Sequence, residues 1–104
     1  MKRAPVRRKD SGTSSRLCTW LGARRKALLD FCCRLIEAPS TNPPGDERRV
    51  IEVISAELER LGLDDREILA SKPTRPNALV WVRGTGPGPV LCYAGHTDTK
   101  PVGD

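Results

Sequence analysis

A run of five consecutive apolar residues, Val90–Ala94, constrains the fold of this chain more than any other feature. Successive side chains of an extended backbone point to opposite faces, so the run predicts a β-strand that is covered on both faces. A chain of 104 residues forms at most one small domain, and two amphipathic helices along it can supply at least one of those covers. The run therefore predicts an α/β fold.

Two segments have the apolar periodicity of helices. In the first, apolar side chains recur at i, i+4, i+7 and i+8, and Pro39 predicts that the helix stops soon after Glu37. In the second, Asp46 is the predicted N-cap and Gly62 the predicted residue just past the end. The predicted apolar faces are Leu28, Cys32, Leu35 and Ile36 in the first helix, and Val50, Ile51, Ile54, Leu58 and Leu61 in the second.

Strand patterns follow the second helix. Ile68–Ala70 and Asn77–Val82 are the predicted strands that precede Val90–Ala94. The glycine-rich segment Gly84–Gly88 predicts a turn, so the last two strands are expected to pair as an antiparallel hairpin. The predicted α/β architecture is thus two helices over a mixed sheet of about three strands.

The positive charge of the chain is concentrated at its start. Residues 1–26 carry nine basic side chains and one acid, Asp10, for a local charge of +8, whereas the rest of the chain carries nine bases and twelve acids, for −3. Residues 1 to about 15 contain too few apolar side chains to offset the entropy of ordering them, so we predict disorder there. We treat 1–26 as a basic, largely disordered extension and 27–104 as the folded part.

The composition of this basic extension bears on partners. Arg24, Arg25 and Lys26 interrupt the one apolar stretch that a secretory signal could use, and no stretch approaches the roughly 18 apolar residues of a membrane helix, so no membrane partner is expected. A transit peptide and an arm that binds nucleic acid by charge alone remain alternatives to a plain solvated tail. Only Trp20 places an aromatic ring within the basic cluster, so a nucleic-acid partner is not expected.

The cysteines offer no familiar metal or disulfide pattern. Cys18, Cys32, Cys33 and Cys92 include no Cys-x-x-Cys pair, which gives little support to a thiolate zinc site. We expect four reduced thiols in a cytoplasmic protein.

The only histidine of the chain follows the apolar run, in the sequence Gly95-His96-Thr97-Asp98. In extended backbone His96 and Asp98 project to the same side, about 6 to 7 Å apart along the strand. A metal-binding imidazole is commonly oriented by a carboxylate, and Gly95 allows the backbone to pass close to a ligand. A hydrogen-bonded turn pair is the alternative, because one histidine cannot build a zinc site by itself.

The wider sequence around this histidine resembles a known family. The string Cys92–Asp104 closely resembles the first metal-binding motif of the dinuclear-zinc amidohydrolases, which include acetylornithine deacetylase, succinyl-diaminopimelate desuccinylase, aminoacylase and related carboxypeptidases and dipeptidases. Leu35–Ser40, Pro44–Glu47, a helix that ends in Leu61-Gly62, and Arg75-Pro76-Asn77 resemble the family's N-terminal order of elements. The resemblance covers about residues 27–104.

The resemblance implies the N-terminal part of the catalytic domain of a zinc-dependent hydrolase, a metallopeptidase or deacetylase that cleaves amide bonds of N-acyl amino acids or peptides. It assigns His96 as a ligand of one zinc ion and Asp98 as the catalytic aspartate that orients and polarises that imidazole. Complete members hold two ions, zinc or alternatively cobalt, that activate a shared water while a glutamate acts as general base. A homodimer is implied for the complete family member only.

Two departures from the family pattern shape the expectation. Lys100 stands where the family more often has an apolar residue, which leaves the subfamily open. Nothing after Asp98 matches the remaining ligands or the general base, and Glu37, Glu47 and Glu52 belong to the helical region upstream. We therefore expect an incomplete metal site and a fragment that is inactive alone. A small basic-armed nucleic-acid-binding domain, or a non-catalytic domain, is the alternative.

Overall fold

The computed structural model describes residues 11–103 and confirms the α/β class. The helices of this part are α1 (Ser11–Gly22), α2 (Arg25–Glu37) and α3 (Arg48–Arg60), and the strands are β1 (Arg66–Leu69) and β2 (Asn77–Val80). The chain divides into two compact units between Phe31 and Cys32. None of the helices just given is both long enough and apolar enough to cross a membrane.

Helix α1 corrects the predicted extent of disorder and adds a third helix to the predicted two. The sequence predicts disorder up to about residue 15, but α1 begins at Ser11, and residues 1–10 lie outside the described part of the chain. At the C-terminal end of α1, Arg24 Nη1 donates to the Trp20 carbonyl at 3.3 Å and the guanidinium lies 3.8 Å from the Trp20 ring centroid. Such a contact stabilises a helix end without burying it, so a count of charges does not register it.

The core of the second unit is small and comes from α3. Val50 and Ile51 are 2% and 6% exposed, as their predicted place on the apolar face requires. Helix α2 ends at Glu37 as predicted, but none of its residues is buried, and Leu28 and Ile36 are exposed. The apolar periodicity therefore located both helices, but only part of the predicted face of α3 is buried in the described chain, since Leu61 is 54% exposed.

The ends of α3 follow the predicted chemistry with a shift of one residue at the start. Gly62 has φ +69° just past the helix, the left-handed conformation that glycine adopts without strain. The predicted N-cap, Asp46, is wrong by one position, because Glu47 occupies the cap. Asp46 still serves the helix start, since its Oδ1 accepts a hydrogen bond from the Arg48 backbone N–H at 3.2 Å.

The sheet differs from the predicted one in its pairing. Strands β1 and β2 are antiparallel, with a register that runs from Arg66 opposite Val80 to Leu69 opposite Asn77. The predicted hairpin between β2 and Val90–Ala94 is wrong. The shorter connection through residues 70–76, closed by a hydrogen bond from Arg75 N to Lys72 O at 2.9 Å, gives β2 its partner instead.

The predicted third strand, Val90–Ala94, is not a strand in the structure. Val90, Leu91 and Tyr93 are 78%, 74% and 89% exposed. An apolar run adopts strand structure only where neighbouring backbone pairs with it, and none of the described residues does so here. The four cysteines, one of which lies in this run, are free and exposed.

Candidate functional site

The predicted site residues lie on a segment that the backbone fixes against a distant loop. Thr99 pairs with Thr41 in a parallel bridge, in which Thr99 N donates to Ser40 O at 3.0 Å and Asn42 N donates to Thr99 O at 2.8 Å. This bridge joins residues that are 58 positions apart in sequence, so it places the end of the His96–Asp98 segment beside the loop that precedes α3.

His96 and Asp98 meet directly in the structure. Nδ1 of His96 is 3.0 Å from Oδ1 of Asp98 and also 3.0 Å from the Asp98 carbonyl oxygen. Both of these atoms are acceptors, so the neutral imidazole carries its proton on Nδ1 and keeps the lone pair on Nε2. The ring is otherwise well exposed, and Nε2 is therefore accessible to a ligand from solution.

Two further side chains act on the second oxygen of Asp98. Asn42 Nδ2 donates to Oδ2 at 2.9 Å, and Nη2 of Arg75 lies 3.6 Å from the same oxygen. The hydrogen bond from Asn42, followed by that with His96, lowers the pKa of Asp98 below its ordinary value. Asp98 is therefore a carboxylate at neutral pH, with one oxygen turned to the imidazole and the other to an amide and a guanidinium.

Arg75 is held by a glutamate at the start of α3. Its Nε lies 3.1 Å from Oε2 of Glu47 and its Nη2 lies 2.8 Å from Oε1, a two-pronged pair, and Glu47 is only 4% exposed. The hydrogen bonds to Glu47 raise the pKa of Arg75. Gly45 lies against the guanidinium: a Cβ there would be 3.0 Å from Arg75 Cζ, and its φ of +77° also favours glycine.

These groups line one side of an open cavity of about 680 Å³. His96, Asp98, Arg75 and Glu47 contribute its charged and polar wall, while Ile51 contributes apolar surface. Lys72, at the turn between β1 and β2, adds a further positive charge. The cavity can thus accept a polar or anionic molecule next to the imidazole.

The donor set fits a single imidazole ligand for a metal ion. An imidazole that ligates through Nε2 usually donates its other N–H to a carboxylate, and His96 and Asp98 have this arrangement. Within residues 11–103 no group of three or more histidine, cysteine, aspartate or glutamate side chains could enclose an ion. Glu47 is engaged by Arg75, and the exposed imidazole of His96 is a candidate for one ligand.

The surroundings of Gly95 are open. A Cβ on Gly95 would have no neighbouring atom within 4 Å, so protein packing does not require glycine there. Its predicted role, close approach of the backbone to a ligand, stays a prediction.

Asn42, Glu47 and Arg75 contact the site, although the sequence did not predict them as site residues. In the sequence, Arg75-Pro76-Asn77 and the loop with Pro43-Pro44-Gly45 are equally consistent with ordinary turns. Both segments also contribute to the family resemblance. Arg75 and Glu47 are 28 positions apart, and Asn42 and Asp98 are 56 apart. No local pattern in one sequence reports contacts at such separations.

Comparisons with known proteins agree with the family resemblance. The chain is 35% identical over 77 residues to succinyl-diaminopimelate desuccinylase of Aromatoleum aromaticum, an alignment that covers 74% of this chain and 18% of that protein. It is 43% identical over 72 residues to the desuccinylase of Gluconacetobacter diazotrophicus, covering 67% of this chain and 18% of the relative. The corresponding protein of Psychrobacter arcticus is 34% identical over 87 residues, with 77% and 20% covered.

Two other comparisons gave no match. No family model matches the chain, and no solved structure matches it significantly. The chain spans about a fifth of the length of the curated relatives it matches. The alignments with these relatives, which share one name, cover 67 to 77% of the chain at 34 to 43% identity. The chain therefore belongs to the amidohydrolase family that includes succinyl-diaminopimelate desuccinylase.

Proposed function

We propose that this chain supplies the first metal ligand, His96, of a zinc-dependent hydrolase that cleaves amide bonds of N-acyl amino acids or peptides. One observation carries the proposal: the imidazole donates Nδ1–H to Asp98 and leaves Nε2 accessible at a polar cavity. The relatives are named as desuccinylases of succinyl-diaminopimelate, so N-succinyl amino acids are the first substrate class to test.

We assign a different role to each of the residues around that ligand. A bound zinc ion would supply Lewis-acid polarisation of an amide carbonyl and a more acidic bound water. His96 would hold the ion through Nε2, and Asp98 keeps the proton on Nδ1 and orients the ring. Asp98 is itself engaged by Asn42 and His96, and Glu47 by Arg75, so we assign neither carboxylate as the general base.

We propose that the chain alone does not turn over substrate. Zinc in proteins normally takes three or four protein ligands, and two-metal activation of water requires more still. A single imidazole holds an ion weakly and leaves its position free to vary, so a carbonyl and a nucleophile are not brought together in a defined geometry. Lys72 and Arg75 could still attract the carboxylate of a substrate to the cavity.

Zinc titration of the chain labelled with ¹⁵N-histidine tests the ligand role. The sequence contains one histidine, so every ring resonance belongs to His96. We expect zinc and cobalt(II) to perturb Nε2 at concentrations where Nδ1 still reports its bond to Asp98. Magnesium, which prefers oxygen ligands, is the matched control and should leave both nitrogens unchanged. A ring that responds to zinc no more than to magnesium would refute the ligand role.

A hydrolysis assay tests the second part of the proposal. N-succinyl and N-acetyl amino acids are incubated with the wild-type chain and with His96→Ala, each with and without zinc. We expect no hydrolysis of either substrate class above the buffer rate with either protein, with or without zinc. Zinc-dependent turnover by the wild type that disappears in His96→Ala would contradict inactivity of the chain alone while supporting the ligand role.

A further inference from the structure

We propose that Glu47 and Arg75 form a positioning pair for Asp98, so that a glutamate at the start of α3 helps to set which nitrogen of His96 faces a ligand. The proposal rests on the proposed function for the use of His96 as a ligand, whereas the control of the ring tautomer stands on geometry alone. Neither residue forms a hydrogen bond or an ion pair with the imidazole in the described chain, and both act through the Asp98 carboxylate.

Contacts with Glu47 and with Gly45 fix the Arg75 guanidinium, which also faces Asp98. The two-pronged contact with Glu47 sets the plane of the guanidinium, and the bare backbone of Gly45 lies against it. The backbone joins the same two regions, because Glu47 N donates to Thr74 O at 2.9 Å. The guanidinium therefore has a defined position relative to α3 and to the turn that precedes β2.

The Glu47–Arg75 pair is more buried than the exposed ion pairs of the described chain, as are the pairs that Glu57 forms with Arg34 and Arg60. The side chain of Glu47 is 6% exposed, whereas Arg83–Asp65 and Arg49–Glu52 join side chains that are all at least half exposed. An exposed pair is loosened by water and salt, but a nearly buried carboxylate depends on its partner. Arg75 is thus held by a carboxylate that has little access to water.

The Asp98 carboxylate links the fixed position of the Arg75 guanidinium to the orientation and tautomer of the His96 ring. Oδ1 faces His96 Nδ1, while Oδ2 accepts from Asn42 and lies 3.6 Å from Arg75 Nη2. The Arg75 distance is longer than a hydrogen bond, so its contribution is attraction between charges, which favours the ionised carboxylate with Oδ2 turned inward. Without it the carboxylate has more freedom to rotate, and the hydrogen bond that keeps the proton on Nδ1 weakens.

The tautomer of His96 provides the test. Spectra of the ¹⁵N-histidine chain near pH 8.5, about two units above the ordinary histidine pKa, distinguish Nδ1–H from Nε2–H. We expect Nδ1–H to dominate in the wild type. In Arg75→Gln and Glu47→Gln the Nε2–H fraction should rise several-fold, and the zinc dissociation constant at His96 should rise about 3- to 10-fold, less than is typical for loss of a direct partner.

Matched controls separate positioning from charge and from general loosening. Arg83→Gln and Glu52→Gln remove the same charges from exposed pairs and should leave the tautomer unchanged. Arg75→Lys keeps the charge but loses the fork, and should give an intermediate Nε2–H fraction. Amide spectra report whether each variant folds, and Arg75→Lys, the mildest change, decides the question if the glutamine variants unfold.

Two results would overturn the proposal. One is an unchanged tautomer in folded Arg75→Gln and Glu47→Gln, or in Arg75→Lys if those two do not fold. The other is an equal change in the Arg83→Gln control. Failure of the proposed function looks different, since zinc would then not perturb Nε2 even in a wild type whose ring is in the Nδ1–H form.

Discussion

The residues before Gly95 and those after it differ in how they contact the rest of the second unit. Before it, Val90–Tyr93 is apolar and almost fully exposed. After it, Asp98 and Thr99 are bound to Asn42, Ser40 and Arg75 by main-chain and side-chain contacts. Position in this region is therefore set by polar contacts with distant residues, while hydrophobicity by itself fixes nothing, because an apolar side chain needs a surface to pack against.

The core provides the largest test of this comparison. Ile51→Ala removes a buried side chain and should lower the free energy of unfolding by about 2 to 4 kcal/mol, whereas Leu91→Ala should change it by less than about 0.5 kcal/mol because Leu91 is exposed. Urea unfolding followed by tryptophan fluorescence measures both. A loss for Leu91→Ala as large as that for Ile51→Ala would show that the apolar run packs in solution, and the comparison would fail.

Gly45→Ala tests the polar side of the comparison. The left-handed φ of +77° costs alanine about 1 kcal/mol, and the new methyl group meets the fixed guanidinium of Arg75, so we expect a total of about 2 kcal/mol. Gly62→Ala is the matched control, because its φ of +69° is similar but open space surrounds it, and about 1 kcal/mol is expected. Equal losses would mean that Arg75 yields easily and is not held as described.

The smallest expected effect on stability is that of Glu57, and this effect depends on pH. Hydrogen bonds from Arg60 and then Arg34 lower the pKa of Glu57 from 4.5 to about 2. A carboxylate whose pKa is lowered by folding stabilises the native state above its ordinary pKa, and that contribution is lost as pH falls from about 4.5 to 2. The stability difference between wild type and Glu57→Gln should therefore shrink between pH 7 and pH 3.

Urea midpoints at the two pH values measure this difference. The control is Glu52→Gln, which breaks an exposed pair with Arg49 and should change stability by less than about 1 kcal/mol at pH 7. A difference between wild type and Glu57→Gln that is constant with pH would show that the two arginines do not hold Glu57 as a carboxylate in solution.

Local chemistry made several features predictable. Pro39 ended α2 at Glu37, and Gly62 followed α3 in the left-handed conformation, because both residues act through their own backbone angles. The burial of Val50 and Ile51 followed from helical periodicity. The motif around His96 also predicted that residue and Asp98 as candidate site residues, because they are only two positions apart in the sequence.

Features that depend on a partner were not predictable in the same way. The pairing of β2 with β1 rather than with Val90–Ala94 depended on which neighbouring backbone was available. The contact between Arg24 and Trp20 at the end of α1 is likewise invisible to a count of charges. The assignment of Arg75 to the site required its contacts with Glu47 and Asp98, which are far from it in sequence.

The sequence by itself determined the family, the α/β class, the two amphipathic helices and the pair of residues that carry the candidate chemistry. These follow from periodicity, from backbone preferences of single residues and from a short motif, all of which are local. The tertiary structure alone decided that Asn42 and Arg75 hold Asp98, that Glu47 holds Arg75, and that the apolar run finds no strand partner among residues 11–103. Contacts between residues far apart in sequence are fixed by the path of the folded backbone, and no local preference encodes that path.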